Sequence, residues 1–272
     1  MNGRRRGAGW LATHAALLAV VLIFGLPFLW LLAAAVSRAV PELPWPTEPT
    51  LEHLRELFRE RNAGRGLRNS LIVATAAMAL TTVTASLAGY GLSRLNIRHK
   101  TAVSYGVLLL QTFPLAVTMV PIYDLAIRLG LQGTYRGLIV SHAAISLPLA
   151  VWLMKSATDA VPREVEEAAW LDGASLVRAW RDIVVPLTVS GLAVTAGFAF
   201  VTAWAEVLMA VVLLAIGDVA KETLPFQFYY QASEGSGVVA ALAAVYIVPV
   251  IAVFLLLRRL IVRGLAGSLQ SL

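Results

Sequence analysis

The chain has 272 residues, of which 58% are hydrophobic and only 14% are charged, and its mean hydropathy is +0.75. A soluble domain usually carries about 25% charged residues, so the composition excludes an ordinary soluble protein and indicates an integral membrane protein. The net charge is +6, but most Lys and Arg residues lie outside the apolar runs, and no basic, aromatic-interleaved surface for nucleic acid is visible. Cysteine is absent, which excludes disulfides and thiolate metal sites.

Six apolar segments are long enough for a membrane-spanning helix, which needs roughly 20 residues. They cover residues 10–36, 69–92, 102–127, 137–154, 189–216 and 238–257. Strands of a membrane barrel would instead produce shorter segments of alternating hydrophobicity. The predicted fold class is therefore all-α, with six transmembrane helices. Pro114 and Pro121 interrupt the third segment and Pro148 lies in the fourth, so kinks are expected there.

The first apolar segment has some features of a secretory signal peptide. Three arginines at residues 4–6 precede it, and three alanines at 33–35 end it. The apolar core of a signal peptide is typically about 7–15 residues long, and this run is longer. We therefore predict that the segment is retained as the first membrane helix.

The distribution of basic residues predicts the orientation, because cytoplasmic loops are enriched in Lys and Arg. Basic residues lie before the first segment, between the second and third, between the fourth and fifth, and after the sixth. Residues 1–9 and 268–272 are thus predicted as cytoplasmic tails of a membrane domain over 10–267. The segments 38–68 and 217–237 are then external, and the first contains a short amphipathic helix with Leu51, Leu54, Leu57 and Phe58 at helical spacing.

The connection over residues 156–186 has the pattern of two short helices. Pro162 suits the first helical position, and Glu164 and Glu166 in the first turn favour the positive end of the helix dipole. Gly173 suits the left-handed residue just after a helix. Ser175 is a predicted cap for a second helix that ends at Pro186.

The same connection contains a spaced motif: Glu-Ala-Ala, three residues, Gly, nine residues, then Ile, two residues and Pro. It resembles the EAA loop of the membrane subunits of bacterial ATP-binding-cassette importers. The resemblance implies that a short helix projects into the cytoplasm and docks in a groove on an ATPase subunit. The residues it assigns to this coupling are Glu167, Ala168, Ala169, Asp172, Gly173, Ile183 and Pro186. The alternative is an ordinary amphipathic hairpin with a glycine after its first helix.

The resemblance extends over residues 69–267, and over this range the chain is similar to the MalG-like permeases of carbohydrate importers. It is carried by short phrases at residues 69–71, 89–94, 121–123, 129–131, 134–139, 162–169, 172–175 and 262–267. The chain departs from the family pattern in the fifth helix, where Trp-Asn-Glu-Phe is replaced by residues 204–207, Trp-Ala-Glu-Val. It also lacks the Lys-Gly pair that often ends the tail.

The resemblance implies the six-helix fold of a type I importer permease in a prokaryotic inner membrane. It further implies a heterodimer with a second permease, two ATPase subunits and an extracytoplasmic solute-binding protein. The expected cargo is a sugar or oligosaccharide; a phosphorylated polyol or another non-sugar solute is the alternative. In this reading the chain is not an enzyme and binds no cofactor, while ATP and Mg are held by the partner ATPase.

The chain's own residues argue against other functions. A phosphate loop needs Gly before a Lys-Ser/Thr pair, but Lys100 follows His99 and Lys155 follows Met154. Histidines at positions 14, 53, 99 and 142 lie on different segments without metal-ligand spacing, so no metal site is predicted. A membrane enzyme is therefore disfavoured. A stand-alone ion-coupled transporter or channel, which would lack any ATPase partner, is a further alternative.

Two groups of side chains are further candidates for function. Glu206 is an acid deep in an apolar helix, where charged groups usually face a cavity or another helix. With Trp204, Gln111 and Thr112 it is a candidate for the translocation path, and structural hydrogen bonding is the alternative. Phe226, Phe228, Tyr229 and Tyr230 are candidates for docking the solute-binding protein, and an interfacial aromatic belt is the alternative.

Overall fold

The computed structural model describes residues 3–39, 45, 48–214, 221–231 and 236–269, and these residues are almost entirely helical. Within those ranges, β pairing is limited to one isolated bridge between Ser37 and Pro49. The all-α prediction is therefore confirmed. The helices, numbered in chain order, are α1 (Gly3–Ala35), α2 (Glu52–Arg59), α3 (Ala63–Arg94), α4 (Lys100–Leu109), α5 (Leu115–Arg128), α6 (Tyr135–Asp159), α7 (Arg163–Leu171), α8 (Leu176–Ala179), α9 (Val185–Leu187), α10 (Val189–Ala205), α11 (Leu208–Leu214), α12 (Leu224–Gln231) and α13 (Ser236–Leu269).

Four helical stretches are long and apolar enough to cross a membrane as single spans. They are Thr13–Ala35, Ala63–Arg94, Tyr135–Asp159 and Gly237–Ile261. Two further pairs pass the same criterion, but each pair is sharply bent. One is Lys100–Thr112 with Leu115–Arg128, bent by 98°, and the other is Leu176–Leu187 with Val189–Ala205, bent by 83°. The described part of the chain thus has four spans, or six if each bent pair is one span.

The third predicted segment is broken rather than gently kinked. After α4 a 3₁₀ turn covers Leu110–Thr112, and Phe113 is extended, with ψ of 128°. A residue before proline is disfavoured in the helical region, and Pro114 has no amide hydrogen to continue the ladder. The helix stops here and restarts at α5, a break that this local preference favours but does not by itself require. Pro121 and Pro148, in contrast, lie inside α5 and α6 without interrupting them.

The fifth predicted segment, residues 189–216, is also discontinuous. Helix α10 ends at Ala205, and the extended Glu206 (φ −81°, ψ 115°) separates it from α11. Residues 215 and 216 lie outside the described residues. The break lies at the acidic residue that the sequence already marks as unusual in an apolar run.

The chain divides into two compact units, of which the first comprises Met1–Gly64 and Tyr230–Val248. In this unit nearly all side chains from Thr13 to Trp30 are exposed, while Ala33, Ala34 and Ala35 are buried. Most of α1 therefore needs an apolar environment that the described residues do not provide. The predicted short amphipathic helix is present as α2, with Leu57 fully buried. The imidazole Nε2 of His53 lies 3.0 Å from the carbonyl oxygen of Ser37.

The second unit, Arg65–Tyr229 and Pro249–Leu272, holds two apolar clusters. One includes Leu138, Met209, Leu213 and Phe226 from α6, α11 and α12. The other brings α3 and α6 together and comprises Ala85, Leu92, Ala150, Val151 and Met154. This second cluster lies beside the point where α6 leads into α7, so it supports the connection that contains the predicted coupling residues.

Candidate coupling site

The predicted first helix of the connection is present as α7. Pro162 precedes it as the N-cap, one position earlier than expected, and Glu164 and Glu166 lie in its first turn. A proline at this point costs no helical hydrogen bond, and the two carboxylates face the positive end of the helix dipole. The proline and the two glutamates together form a helix-start signal, and α7 begins at that point.

The end of α7 is a left-handed turn at Gly173. Its φ is +84°, and a Cβ built on it would meet no heavy atom within 4 Å. Glycine is needed here for its backbone conformation rather than for close packing. The amide of Gly173 donates to the carbonyl of Trp170, and that of Ala174 to the carbonyl of Ala169. The prediction of a helix-ending glycine is confirmed.

The second helix begins as predicted but does not end at Pro186. The Oγ of Ser175 accepts a hydrogen bond from the amide of Arg178 at 3.3 Å. A π-helical turn over Trp180–Val184 follows α8, and α9 includes Pro186 in its first turn, where a missing amide hydrogen is tolerated. The chain changes direction at Thr188 instead. The prediction that Pro186 stops the helix is wrong.

The predicted coupling residues lie mainly on the exposed side of this connection. Glu167, Ala168, Asp172 and Gly173 are exposed, while Ala169 and Ile183 are half-buried and Pro186 is exposed. Two large apolar side chains of the connection are strongly exposed: Leu171, which is 90% exposed, and Val177 in α8, which is 68% exposed. Apolar side chains that protrude from a short polar connection favour contact with another protein.

An ion pair that the sequence analysis did not predict anchors α7 to α3. The Arg94 Nε lies 2.6 Å from the Glu166 Oε1, and the two side chains are 4% and 0% exposed. By sequence alone, Glu167 is predicted to contact a partner and Glu166 is only a helix-start residue. The sequence signal for this pair is Arg94 at the end of a long apolar helix. That position does not reveal its partner, Glu166, which lies 72 residues later.

The candidates for the translocation path are differently placed. Trp204 is 1% exposed, with its ring centroid 5.6 Å from that of Phe200. Gln111 and Thr112 are exposed and lie in the 3₁₀ turn at the break of the third segment. Their role in a path stays a prediction.

Glu206 acts as a cap for α11. Its Oε2 accepts a hydrogen bond from the amide of Met209 at 2.6 Å. Glu206 also lines a cavity of about 10 Å³ together with Ser70, His142 and Thr223, a volume that matches about one water molecule. The hydrogen bond stabilises the restart of the helix after the break, which is a structural function for this carboxylate.

Substitutions at Glu206 separate capping from a role in the path. We expect Glu206→Ala to lower the stability of the detergent-solubilised protein by about 1 kcal/mol, the usual value of a helix cap. Glu206→Gln keeps an acceptor oxygen and should melt close to the native temperature. Uptake by the Gln variant then tests the path: impaired uptake with normal assembly supports it, and normal uptake ends it.

The aromatic candidates for partner docking lie on α12 and have different environments. Phe226 is buried, Phe228 is half-buried, and Tyr229 and Tyr230 are exposed. The start of α12 is bound to α3, because the Ser70 Oγ accepts from the amide of Leu224 at 2.8 Å. Phe226 is therefore a core residue, and Tyr229 and Tyr230 are the members of the group that are available to a partner.

Over the described ranges, no group of three or more acidic or histidine side chains is close enough to hold a metal ion. The features that do stand out are several helices of membrane-spanning length and a short exposed helix, α7, in the connection between two of them along the chain. These features define a multi-pass membrane protein with an exposed connection between two of its long helices.

The comparisons with known proteins place the chain in a family of this class. Residues 6–266 match the family described as "Binding-protein-dependent transport system inner membrane component", and the chain belongs to it. It is a permease subunit of an ATP-binding-cassette importer, and the resemblance stated from its motifs is confirmed.

Two relatives and one solved structure illustrate the similarity. The chain is 31% identical to the sulfoquinovosyl glycerol transport system permease protein SmoH of Agrobacterium fabrum, with 93% of this chain and 91% of SmoH covered. It is 30% identical to the trehalose transport system permease protein SugB of Mycobacterium tuberculosis, with 98% of each covered. A chain of a bacterial importer of the acidic polysaccharide alginate shares the fold, with a TM-score of 0.76 at 18% identity, over 95% of this chain and 98% of that one.

Proposed function

We propose that this chain is one of two different permease subunits that together form the translocation path of a carbohydrate importer. The observation that carries the proposal is the exposed helix α7, which ends at a left-handed Gly173 and presents Leu171 almost fully to solvent. SmoH and SugB, which are named for the transport of sulfoquinovosyl glycerol and trehalose, support a sugar or oligosaccharide as cargo.

In this proposal the connection over 156–186 lies in the cytoplasm, as do both termini, in agreement with the positions of the basic residues. Helix α7 inserts into a groove on an ATPase subunit, which binds ATP and Mg, while this chain holds neither. Glu167 pairs with a basic residue of that subunit, and Ala168 and Ala169 allow close approach. Asp172 and Gly173 form the turn that ends α7, and Ile183 and Pro186 lie in the helical part of the connection that follows it.

On the opposite side, a solute-binding protein delivers the cargo. The exposed rings of Tyr229 and Tyr230 are the proposed contacts, because tyrosine provides large, rigid contact area at interfaces. Closing of the ATPase dimer on ATP would draw the coupling helices of the two permeases together and open the path outward. Hydrolysis would reset it.

The test is purification of the tagged chain from its native membrane in a gentle detergent, followed by mass spectrometry of the proteins that accompany it. We expect a second permease, ATPase subunits and a solute-binding protein, and a carbohydrate in the binding site of the last. A non-sugar ligand there would overturn the assignment of the cargo. Recovery of this chain alone, under conditions that preserve other membrane complexes, would overturn the proposal as a whole.

A further inference from the structure

The proposed coupling helix is bound to α3 at its beginning, and its last residue, Leu171, is 90% exposed. Besides the pair with Glu166, Arg94 donates from Nη2 to the carbonyl oxygens of Thr158 (3.0 Å) and Val161 (2.7 Å). One guanidinium at the end of α3 therefore holds the last turn of α6, the turn that follows it and the first turn of α7. Guanidinium presents several donors in a rigid plane, which suits it to joining three segments.

Neighbouring polar groups extend this anchor. The Ser93 Oγ donates to the Asp159 Oδ1 at 2.5 Å, and the Lys155 Nζ donates to the other carboxylate oxygen of Asp159, also at 2.5 Å. The carbonyl oxygen of Ser93 accepts from Lys100 and Arg163. The ends of α3 and α6 and the beginnings of α4 and α7 thus share one hydrogen-bonded network.

A second attachment lies about two turns earlier on α3. The Trp180 Nε1 donates to the Ser86 Oγ at 3.1 Å, so the segment after α8 is also bound to α3. Between the two attachments, Gly89 of α3 lies against the backbone of α6, where a Cβ would be 2.6 Å from the Lys155 nitrogen. The connection is therefore attached to α3 at two points, Ser86 and Arg94, and α3 packs tightly against α6 between them.

We propose that the Arg94–Glu166 pair is the link through which the coupling helix moves α3, so that α7 and α3 shift as one body during the transport cycle. The inference rests on the proposed function, because only a helix that is displaced by an ATPase would have a movement to transmit to α3. A force applied at the exposed end of α7 reaches the membrane domain at the point where α7 is bound to it. That point is Glu166, the buried residue of α7, which contacts Arg94. Arg94 and Glu166 are positioning residues, since they act on the transport path through α3.

The first test measures whether α7 and α3 move together. The chain has no cysteine, so Glu164→Cys in α7 and Leu87→Cys in α3 would carry the only spin labels on it, and both sites are exposed. In the complete reconstituted complex we expect the distance between the labels to stay constant when ATP is added. A change of several ångströms in the otherwise native protein would overturn the inference, because the coupling helix would then move independently of α3.

The second test removes the link. With Glu166→Gln, we expect the ATPase to remain bound and to hydrolyse ATP, while uptake per ATP falls at least about tenfold, within the usual range of coupling between sites. The label distance should now change with ATP. Arg128→Gln is the matched control, because it breaks an exposed pair with Asp124 in α5 and should leave uptake per ATP unchanged.

The two proposals fail in different ways. If the unaltered chain binds no ATPase, the proposed function fails. If it binds the ATPase and transports, but Glu166→Gln keeps native uptake per ATP, only the link is wrong. Should Glu166→Gln not assemble, the label distance in the protein with native Arg94 and Glu166 still decides.

Discussion

Replacing Leu171 by aspartate should abolish capture of the ATPase while leaving the permease folded. The side chain is 90% exposed, so the substitution removes no packing within this chain. At the centre of an interface an apolar anchor is worth about 2 kcal/mol or more, so the affinity for the ATPase should fall roughly thirtyfold or further. The measurement is co-purification of the ATPase with the tagged variant, alongside the thermal midpoint of the isolated permease.

The matched control is the same substitution at Leu129, which is 61% exposed at the end of α5 and lies outside the coupling connection. Leu129→Asp introduces the same charge and should retain the ATPase. Equal retention by both variants would contradict the placement of the ATPase on α7. Equal loss would instead point to a general effect of added charge.

Substituting Gly89 by valine should prevent stable folding. The Cβ would be 2.6 Å from the backbone nitrogen of Lys155 and 2.8 Å from both the carbonyl carbon and the Cβ of Met154. Backbone atoms cannot turn aside as a flexible side chain can, so α3 and α6 would have to separate. Overpacking of this kind costs about 1–3 kcal/mol and occasionally more, and here it also pulls apart the cluster around Ala150 and Met154.

The measurement is the yield of monodisperse protein and its thermal midpoint in detergent. Gly91→Val is the control on the same helix, because a Cβ at Gly91 meets only the Leu95 side chain, at 3.7 Å. Both variants carry the same loss of glycine and gain of a branched residue. A stable Gly89→Val protein, with the midpoint of the Gly91→Val control, would refute the close approach of α3 and α6.

The elements that the sequence predicted well are those set by local signals. The apolar runs exceed the length of a bilayer crossing, and the acidic first turn of α7, the left-handed Gly173 and the Ser175 cap all depend on neighbours within a few residues. The spacing from Glu167 to Pro186 then identified the family, because that resemblance is carried by the order of residues.

The outcomes that the sequence left open depend on groups far apart in the chain. Pro114 breaks its helix while Pro121 and Pro148 do not, although each lacks the same amide hydrogen. Trp204 and Phe226 are aromatic residues of the kind that can face a ligand or a partner, yet packing buries both. No pattern of neighbouring residues decides between these environments.

The sequence by itself determined that this is an all-helical membrane protein with a motif that resembles the EAA loop, since hydropathy, capping and motif spacing are properties of short stretches. Only the tertiary structure decided which of two adjacent glutamates is available to a partner. Glu166 is buried on Arg94 and Glu167 is exposed, because successive residues of a helix point about 100° apart. Which of those directions meets α3 depends on how α7 packs, and so on contacts between residues 72 positions apart.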